Sequence, residues 1–455
     1  MTSVRILVPS GMLGAGFPAE IVDRGIELGA DVIAVDGGST DSGPYYLGTG
    51  TAKTTAAAVK RDLRILLRAA ARAGIPLIVG SCGTSGTDAG VDWVAGIARS
   101  VLAEEHLSLR VATIYAEQRA ADLKEYLGQD RIRPLPPAGE LDLPTVESCT
   151  HIVAMMGHEP IADALAAGAD VVLAGRATDT AVAAAFPLLH GMPAGPVWHA
   201  AKIVECGAQC TTDPRSSGVF ATVDATGFTI EPLDPGNACT PHTVAAHMLY
   251  ETVNPFSMRE PAGTLEVADA VYTALDDRRV RVEGSVFAVA EQYTNKLEGA
   301  RITGYETMSF TAIRDPHILA RIDTWAALLR RILTERVTQT LALGAGDYAF
   351  DIRLYGHNAV LGAIEPPPAS PPREVGVMLL VSAADQETAT AIAKIANPLM
   401  LHLPTPDMAF LPSLAFPFSP AETERGAAYE FVLNHVVAVD SPAELFRTVW
   451  EDSDV

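Results

Sequence analysis

Basic residues are scarce: 33 Lys and Arg face 55 Asp and Glu, giving a formal net charge of -22 over 455 residues. So acidic a surface disfavours nucleic acid and anionic membranes as partners, because both bind through cationic patches. It leaves room for a small anionic substrate, since one local Arg or a helix N-terminus can hold a carboxylate or phosphate inside an acidic protein. Cysteines are few. Cys82, Cys149, Cys206, Cys210 and Cys239 are odd in number and widely scattered, which argues against a disulfide framework and for reduced thiols. No apolar stretch is long enough to span a bilayer; the Ala-rich stretch 161–189 is interrupted by Asp163, Asp170, Arg176 and Asp179 and reads as core elements. Met1-Thr2-Ser3-Val4-Arg5-Ile6 runs into a strand without an apolar export segment, so the expected location is the cytoplasm. There is no internal repeat and no low-complexity tail. Gly11-Met12-Leu13-Gly14-Ala15-Gly16 lacks the full Gly-x-Gly-x-x-Gly spacing of a dinucleotide fingerprint, which disfavours NAD or FAD.

The elements that are present alternate. Short apolar runs at 5–8, 31–35, 76–79, 108–115, 151–155 and 170–173 read as strands. Stretches with helical spacing at 18–28, 54–73, 91–103, 119–127 and 161–167 separate them. This predicts an α/β fold, with a doubly wound, mostly parallel sheet in the N-terminal half. After about residue 215 the pattern changes to a hairpin at 218–232, a helix at 240–251, further strands, and long helices at 316–343 and 386–396. The expected division is therefore 1–215 and 216–455, the latter a second α/β or α+β domain. The proline-rich stretch 365–372 reads as a surface linker or loop.

Candidate chemistry sits where the apolar runs end in polar and glycine-rich ones, because ligands bind at that edge of a parallel sheet. In the loop 80–88, Gly80, Gly83 and Gly86 permit close backbone approach, and free N–H groups there can hold an anion with Ser81, Gly83 and Ser85. Cys82 near a helix N-terminus is a candidate acid or nucleophile with a lowered thiol pKa; Asp88 is a candidate acid. The alternative is structural: tight turns, a small packed thiol and a helix cap. Asp36 and Asp41 follow the second strand and suit a divalent cation such as Mg or Mn, or serve as turn residues. His158 and Glu159 side by side suit acid–base work, or simply start a helix. Arg176 suits a bidentate carboxylate clamp, with Asp179 orienting it or capping the next helix.

The run His199 to Cys210, if helical, puts Lys202 and Glu205 on neighbouring turns, with Glu205 as acid, base or salt-bridge partner. Cys206 and Cys210 lack a recognisable second half of a zinc site nearby. His357, after an apolar strand, is a candidate substrate contact from the second half, or a surface turn. His435, inside an apolar run, reads as a core histidine.

Several of these segments together carry a family likeness: the glycine-rich strand ends, Val172 to Asp179, His199 to Cys210, Thr240 to Glu251, Lys296-Leu297-Glu298-Gly299-Ala300 and Tyr429 to Val436. With these motifs the chain resembles the acyclic terpene utilisation (AtuA-like) proteins. That resemblance implies a setting of branched-terpenoid degradation, whose intermediates are branched acids and acyl-CoA thioesters. It carries over no catalytic residue.

The expected function is an enzyme of small carboxylate or acyl-CoA metabolism, a lyase/hydratase or isomerase. His158 or Glu205 is the base, Asp88, Glu159 or Cys82 the acid, and Arg176 with the 81–86 amides the anion site. Two rivals stay open: a cysteine- or serine-dependent hydrolase or acyl transferase, and a non-catalytic subunit of an acyl-CoA-processing complex. A homo-oligomer is expected.

Overall fold

The computed structural model describes residues 2–216, 218–366, 370, 372–412 and 414–451. Of the proline-rich stretch 365–372, residues 367–369 and 371 lie outside the described residues. The chain forms two compact units: Met1–Arg301 with Phe431–Val455, and Ile302–Glu430.

The first unit opens with β1 (Ser3–Val8), α1 (Ala19–Glu27), β2 (Val32–Asp36), α2 (Pro44–Thr49), α3 (Ala56–Ala73), β3 (Leu77–Gly80), α4 (Asp88–Glu105) and β4 (Val111–Tyr115). It continues through α5 (Ala120–Gly128), β5 (Ile132–Pro134), α6 (Leu143–Ser148), β6 (His151–Met155), α7 (Glu159–Ala166), β7 (Val171–Ala174), α8 (Asp179–Leu189) and α9 (Ala194–Val204). Then come β8 (Val219–Asp224), β9 (Gly227–Pro232), α10 (Pro241–His247), β10 (Ser257–Glu260), β11 (Gly263–Glu266), β12 (Val271–Ala274), β13 (Val280–Glu283) and β14 (Val286–Val289). β15 (Thr294–Ile313) contributes residues to both units. It is followed by α11 (Pro316–Leu319), α12 (Ile322–Leu341), β16 (Tyr348–Tyr355), β17 (Val375–Ala383) and α13 (Gln386–His402). β18 (Glu422–Ala438) also contributes to both units, and β19 (Arg447–Glu451) closes the first.

The α/β reading holds. Strands β1, β2, β3, β7 and β4 lie side by side and parallel, within a ten-stranded sheet of order β12-β13-β9-β8-β1-β2-β3-β7-β4-β19. Their residues are mostly apolar because both faces are covered. Alternate side chains divide between two cores. Leu7, Ile33, Val79 and Leu173 pack with α3 and α4 residues such as Leu63 and Val94; Ile6, Ala34, Ile78 and Val172 pack with α8 and α9 residues such as Ala184 and Val197. The second unit packs β15, β16 and β17, antiparallel, with α12 and α13 around Trp325, Leu329, Leu379 and Ile392. Among the described residues no helix is long and apolar enough to cross a membrane.

Two differences from the sequence reading matter for the site. The change of pattern near 215 is not a unit boundary: β8 pairs antiparallel with β1 over the whole of that strand, from Ser3↔Asp224 to Val8↔Val219, so the hairpin extends the same sheet. And β6 does not join the parallel sheet. It pairs antiparallel with β15, Val153 opposite Glu298 and Met155 opposite Lys296. Its end is tied to the turn after β7, where Met156 N–H donates to the Arg176 carbonyl at 2.9 Å and Thr178 N–H to the Met156 carbonyl at 3.0 Å. Local periodicity cannot choose between partners, so this pairing was not readable in β6 itself.

The strand-end loops meet backbone to backbone. Gly86 adopts φ +67°, and a Cβ there would lie 2.1 Å from the Arg176 nitrogen. Gly86→Ala therefore combines a strained backbone with a clash that no side-chain rotation relieves. It is expected to lower unfolding free energy by about 2–4 kcal/mol, measured by urea denaturation.

Candidate functional site

Arg176 follows β7 at the C-terminal edge of the parallel sheet and is 4% exposed. Its Nε donates to Glu298 Oε2 at 2.9 Å. Nη1 donates to the Ala177 carbonyl at 3.1 Å and to Ser81 Oγ at 3.3 Å, and lies 3.5 Å from Asp179 Oδ1. Burial opposes its charge, and Glu298 and Asp179 more than restore it. Burial also pushes Glu298 up, but Arg176 and Lys296 outweigh it and hold that carboxyl at about 2. The guanidinium expected to clamp a substrate carboxylate is thus already engaged by a carboxylate of the chain.

Beside it opens a cavity of about 670 Å³, whose wall includes Asp36, Asp41, Lys53, Asp179, Cys206 and Tyr250. Asp36 ends β2 and Asp179 begins α8, which the preceding Thr178 caps by accepting from Ala181 N–H. Asp36 is buried; its Oδ2 accepts from Gly38 N–H at 3.1 Å, while Oδ1 has no hydrogen-bond partner. Burial, then the nearby Asp179 charge, raise Asp36 well above the ordinary carboxyl range. Asp179 is raised by burial, against the pull of Arg176. The glycine-rich 11–16 turn spends its amides on the chain itself: Gly14 and Gly16 N–H donate to Asp62 Oδ2 at 2.8 and 3.1 Å.

Behind the cavity wall, Lys202 Nζ donates to Glu205 Oε1 at 2.5 Å, both nearly fully buried. Burial pushes Glu205 up to about 8, against the pull of Lys202. The helix α9 stops at Val204, so Glu205 is its C-cap residue and Cys206 enters a short turn. His247 ends α10. Ligand atoms of Glu205, Cys206 and His247 lie within 4.8 Å of one another, and these three form the metal-capable group found among the described residues. Asp36 and Asp41 belong to no such group there. Asp41 is exposed and accepts from Ser39 Oγ at 2.5 Å.

Apart from Ser81, which meets Arg176, the other expected residues lie elsewhere. Cys82 is fully buried in the core under α3 and α4; burial, then the Asp36 charge, raise its thiol, the opposite of the expected lowering. The 80–88 loop is buried from Ser81 to Thr87. Ser81 and Cys82 N–H donate to the Gly175 and Ala174 carbonyls, Ser85 Oγ donates to the Tyr46 carbonyl at 3.2 Å, and a Cβ on Gly83 would lie 2.4 Å from Gly90 Cα. Asp88 exchanges backbone–carboxylate bonds with Glu117, which also holds His151 Nδ1 at 2.6 Å. His158 packs edge-on against Trp198, and Glu159 accepts from Tyr293 OH at 2.6 Å. His357 lies in the second unit, paired with Asp323 at 2.9 Å. His435 is the core histidine expected, its Nε2 2.9 Å from the Gly139 carbonyl. Among the described residues, none of Cys82, His158 and Arg176 lines that cavity; of the expected residues, Asp36, Asp41 and Asp179 do.

Four participants were not singled out for chemistry: Lys296, Glu298, His247 and Glu260. Three of them sit in segments that carried the family likeness, Thr240 to Glu251 and Lys296 to Ala300. Glu260, at the end of β10, accepts from Thr180 Oγ1 at 2.6 Å and Thr178 Oγ1 at 3.0 Å; nothing local in the sequence marks it.

The family described as acyclic terpene utilisation family protein AtuA matches residues 49–415. This chain belongs to that family. The matched span holds Arg176, Asp179, Glu205, Cys206, His247 and Glu298, and Asp36 and Asp41 precede it. No curated protein and no solved structure matches the chain.

Burial raises Glu260 to about 7, against the Thr178 and Thr180 hydroxyls. A carboxyl raised on folding stabilises below its ordinary value of 4.5 and loses that contribution as pH climbs through 7. Urea titrations across this window should show stability falling with pH, and falling less steeply in Glu260→Gln. An unchanged slope in that variant would show that Glu260 titrates as an ordinary carboxyl.

Proposed function

We propose that this member of the acyclic terpene utilisation family is an enzyme that transfers protons on a small carboxylate or its CoA thioester, as a hydro-lyase or a related isomerase. The observation that carries the reading is the pair Asp36 and Asp179 on one cavity wall, in environments that divide their roles. Asp36, buried beside another carboxylate and away from any bonded cation, holds its proton. Asp179, beside Arg176 and at the positive end of α8, is the one better able to stand ionised.

In the dehydration direction Asp179 takes the proton α to the substrate carbonyl. The C–H pair becomes the new C=C bond, the β C–O bond breaks, and Asp36 gives its proton to the departing hydroxyl, which leaves as water. Hydration runs the same steps backward. The enolate-like charge forms near the buried Arg176 field. A substrate carboxylate or phosphate meets its cations on the exposed side of the wall, where Lys53 and Arg215 stand.

Unsaturated and hydroxylated di- and tricarboxylates and branched enoyl-CoA thioesters would be screened by C=C absorbance, with and without Mg²⁺ or Mn²⁺. Turnover is expected, with kcat lowered about 10²–10⁴-fold by Asp36→Asn and by Asp179→Asn. No turnover, or full activity in both variants, would sink the assignment.

A further inference from the structure

We infer that Glu205, Cys206 and His247 form a zinc site whose open coordination position faces the cavity. The three side chains come from the end of α9 and the end of α10, so two helix termini set their spacing. Their ligand atoms lie within 4.8 Å of one another. Tetrahedral binding at Zn–S and Zn–N lengths of about 2.3 and 2.0 Å puts neighbouring ligand atoms about 3.5 Å apart, so small side-chain movements close the set.

A second observation points the same way. His247 is 4% exposed, and its Nε2 is buried without a hydrogen-bond partner. The ring stacks on Tyr250 with centroids 5.7 Å apart, which fixes its plane beside Cys206 and Glu205. A neutral imidazole nitrogen stranded in the interior is costly unless something fills it.

The donor set decides the metal class. One thiolate, one imidazole and one carboxylate suit Zn²⁺ and are wrong for Mg²⁺ or Mn²⁺, which prefer oxygen ligands. Three protein ligands leave one position, as in zinc sites that act on substrate. Cys206 itself lines the cavity, with Tyr250 and Glu251 nearby, so that position opens where a substrate carbonyl or a water reaches it. Charge balances as well: thiolate and carboxylate offset the dication, and Lys202 holds one Glu205 oxygen while the other is left for the metal. The site is separate in its residues from the Asp36–Asp179 pair and stands whether or not that pair transfers protons.

The test uses the full chain stripped with a chelator and reloaded. One Zn²⁺ per chain is expected by elemental analysis, and Co²⁺ should give tetrahedral visible bands with a thiolate-to-metal charge-transfer band. Cys206→Ser should lose the charge-transfer band. His247→Ala and Glu205→Gln should weaken Zn²⁺ binding by at least about 100-fold, while Cys149→Ser should bind as the parent does. Circular dichroism identifies any variant that fails to fold, and the remaining variants then decide. Substoichiometric metal in the parent, or a thiolate band that survives Cys206→Ser, would overturn the site. Because the readout is metal content and spectrum, its failure is distinct from failure of the proposed turnover.

Discussion

A guanidinium cut off from water has to be neutralised where it lies, and the arrangement around Arg176 follows from that need. The charge is met by Glu298 at 2.9 Å and by Asp179 at 3.5 Å. Removing one partner of such a buried pair typically costs about 3–5 kcal/mol, because it strands the other charge. The turn after β7, the start of α8 and the first part of β15 are therefore held together. The β6–β15 register brings Glu298 to this point, and the bonds between Met156 and the 176–178 turn fix the other side. A contact across 122 residues is thus the sum of one strand pairing and one loop tie.

The same neighbourhood concentrates carboxylates beyond the number of cations beside them. Asp36, Asp179, Glu205 and Glu260 are all raised, in each case first by burial. Glu298 alone of this group is driven down, since it has both Arg176 and Lys296. Carboxyl groups of the same intrinsic chemistry are in this way set apart by how far burial outweighs the cations Arg176, Lys202 and Lys296 beside them. The acid–base reading and the metal reading both draw on that excess.

The glycines of the strand-end loops were legible as special, but their use was not. Close backbone approach is what they provide, at Gly37 against Gly80, Gly38 against Thr84 and Gly86 against Arg176. A free amide and a filled one look alike in sequence, and here the Ser81, Cys82, Gly14 and Gly16 amides are taken by the chain's own oxygens. Cys82 shows the same ambiguity: a thiol at a strand end is activated or inert according to its burial, which its neighbours in sequence do not state.

Periodicity, turn residues and the family likeness by themselves determined the α/β alternation, the hairpin after residue 218, and the strand-end location of Asp36, Arg176 and Asp179. These are local properties, set by spacing along the chain. Tertiary structure alone decided that Glu298 neutralises Arg176, that β6 leaves the parallel sheet, and that His247 meets Glu205 and Cys206. Each of those depends on which distant segment arrives at a given point, and on how much water is excluded when it does, and neither is encoded in any one stretch of residues.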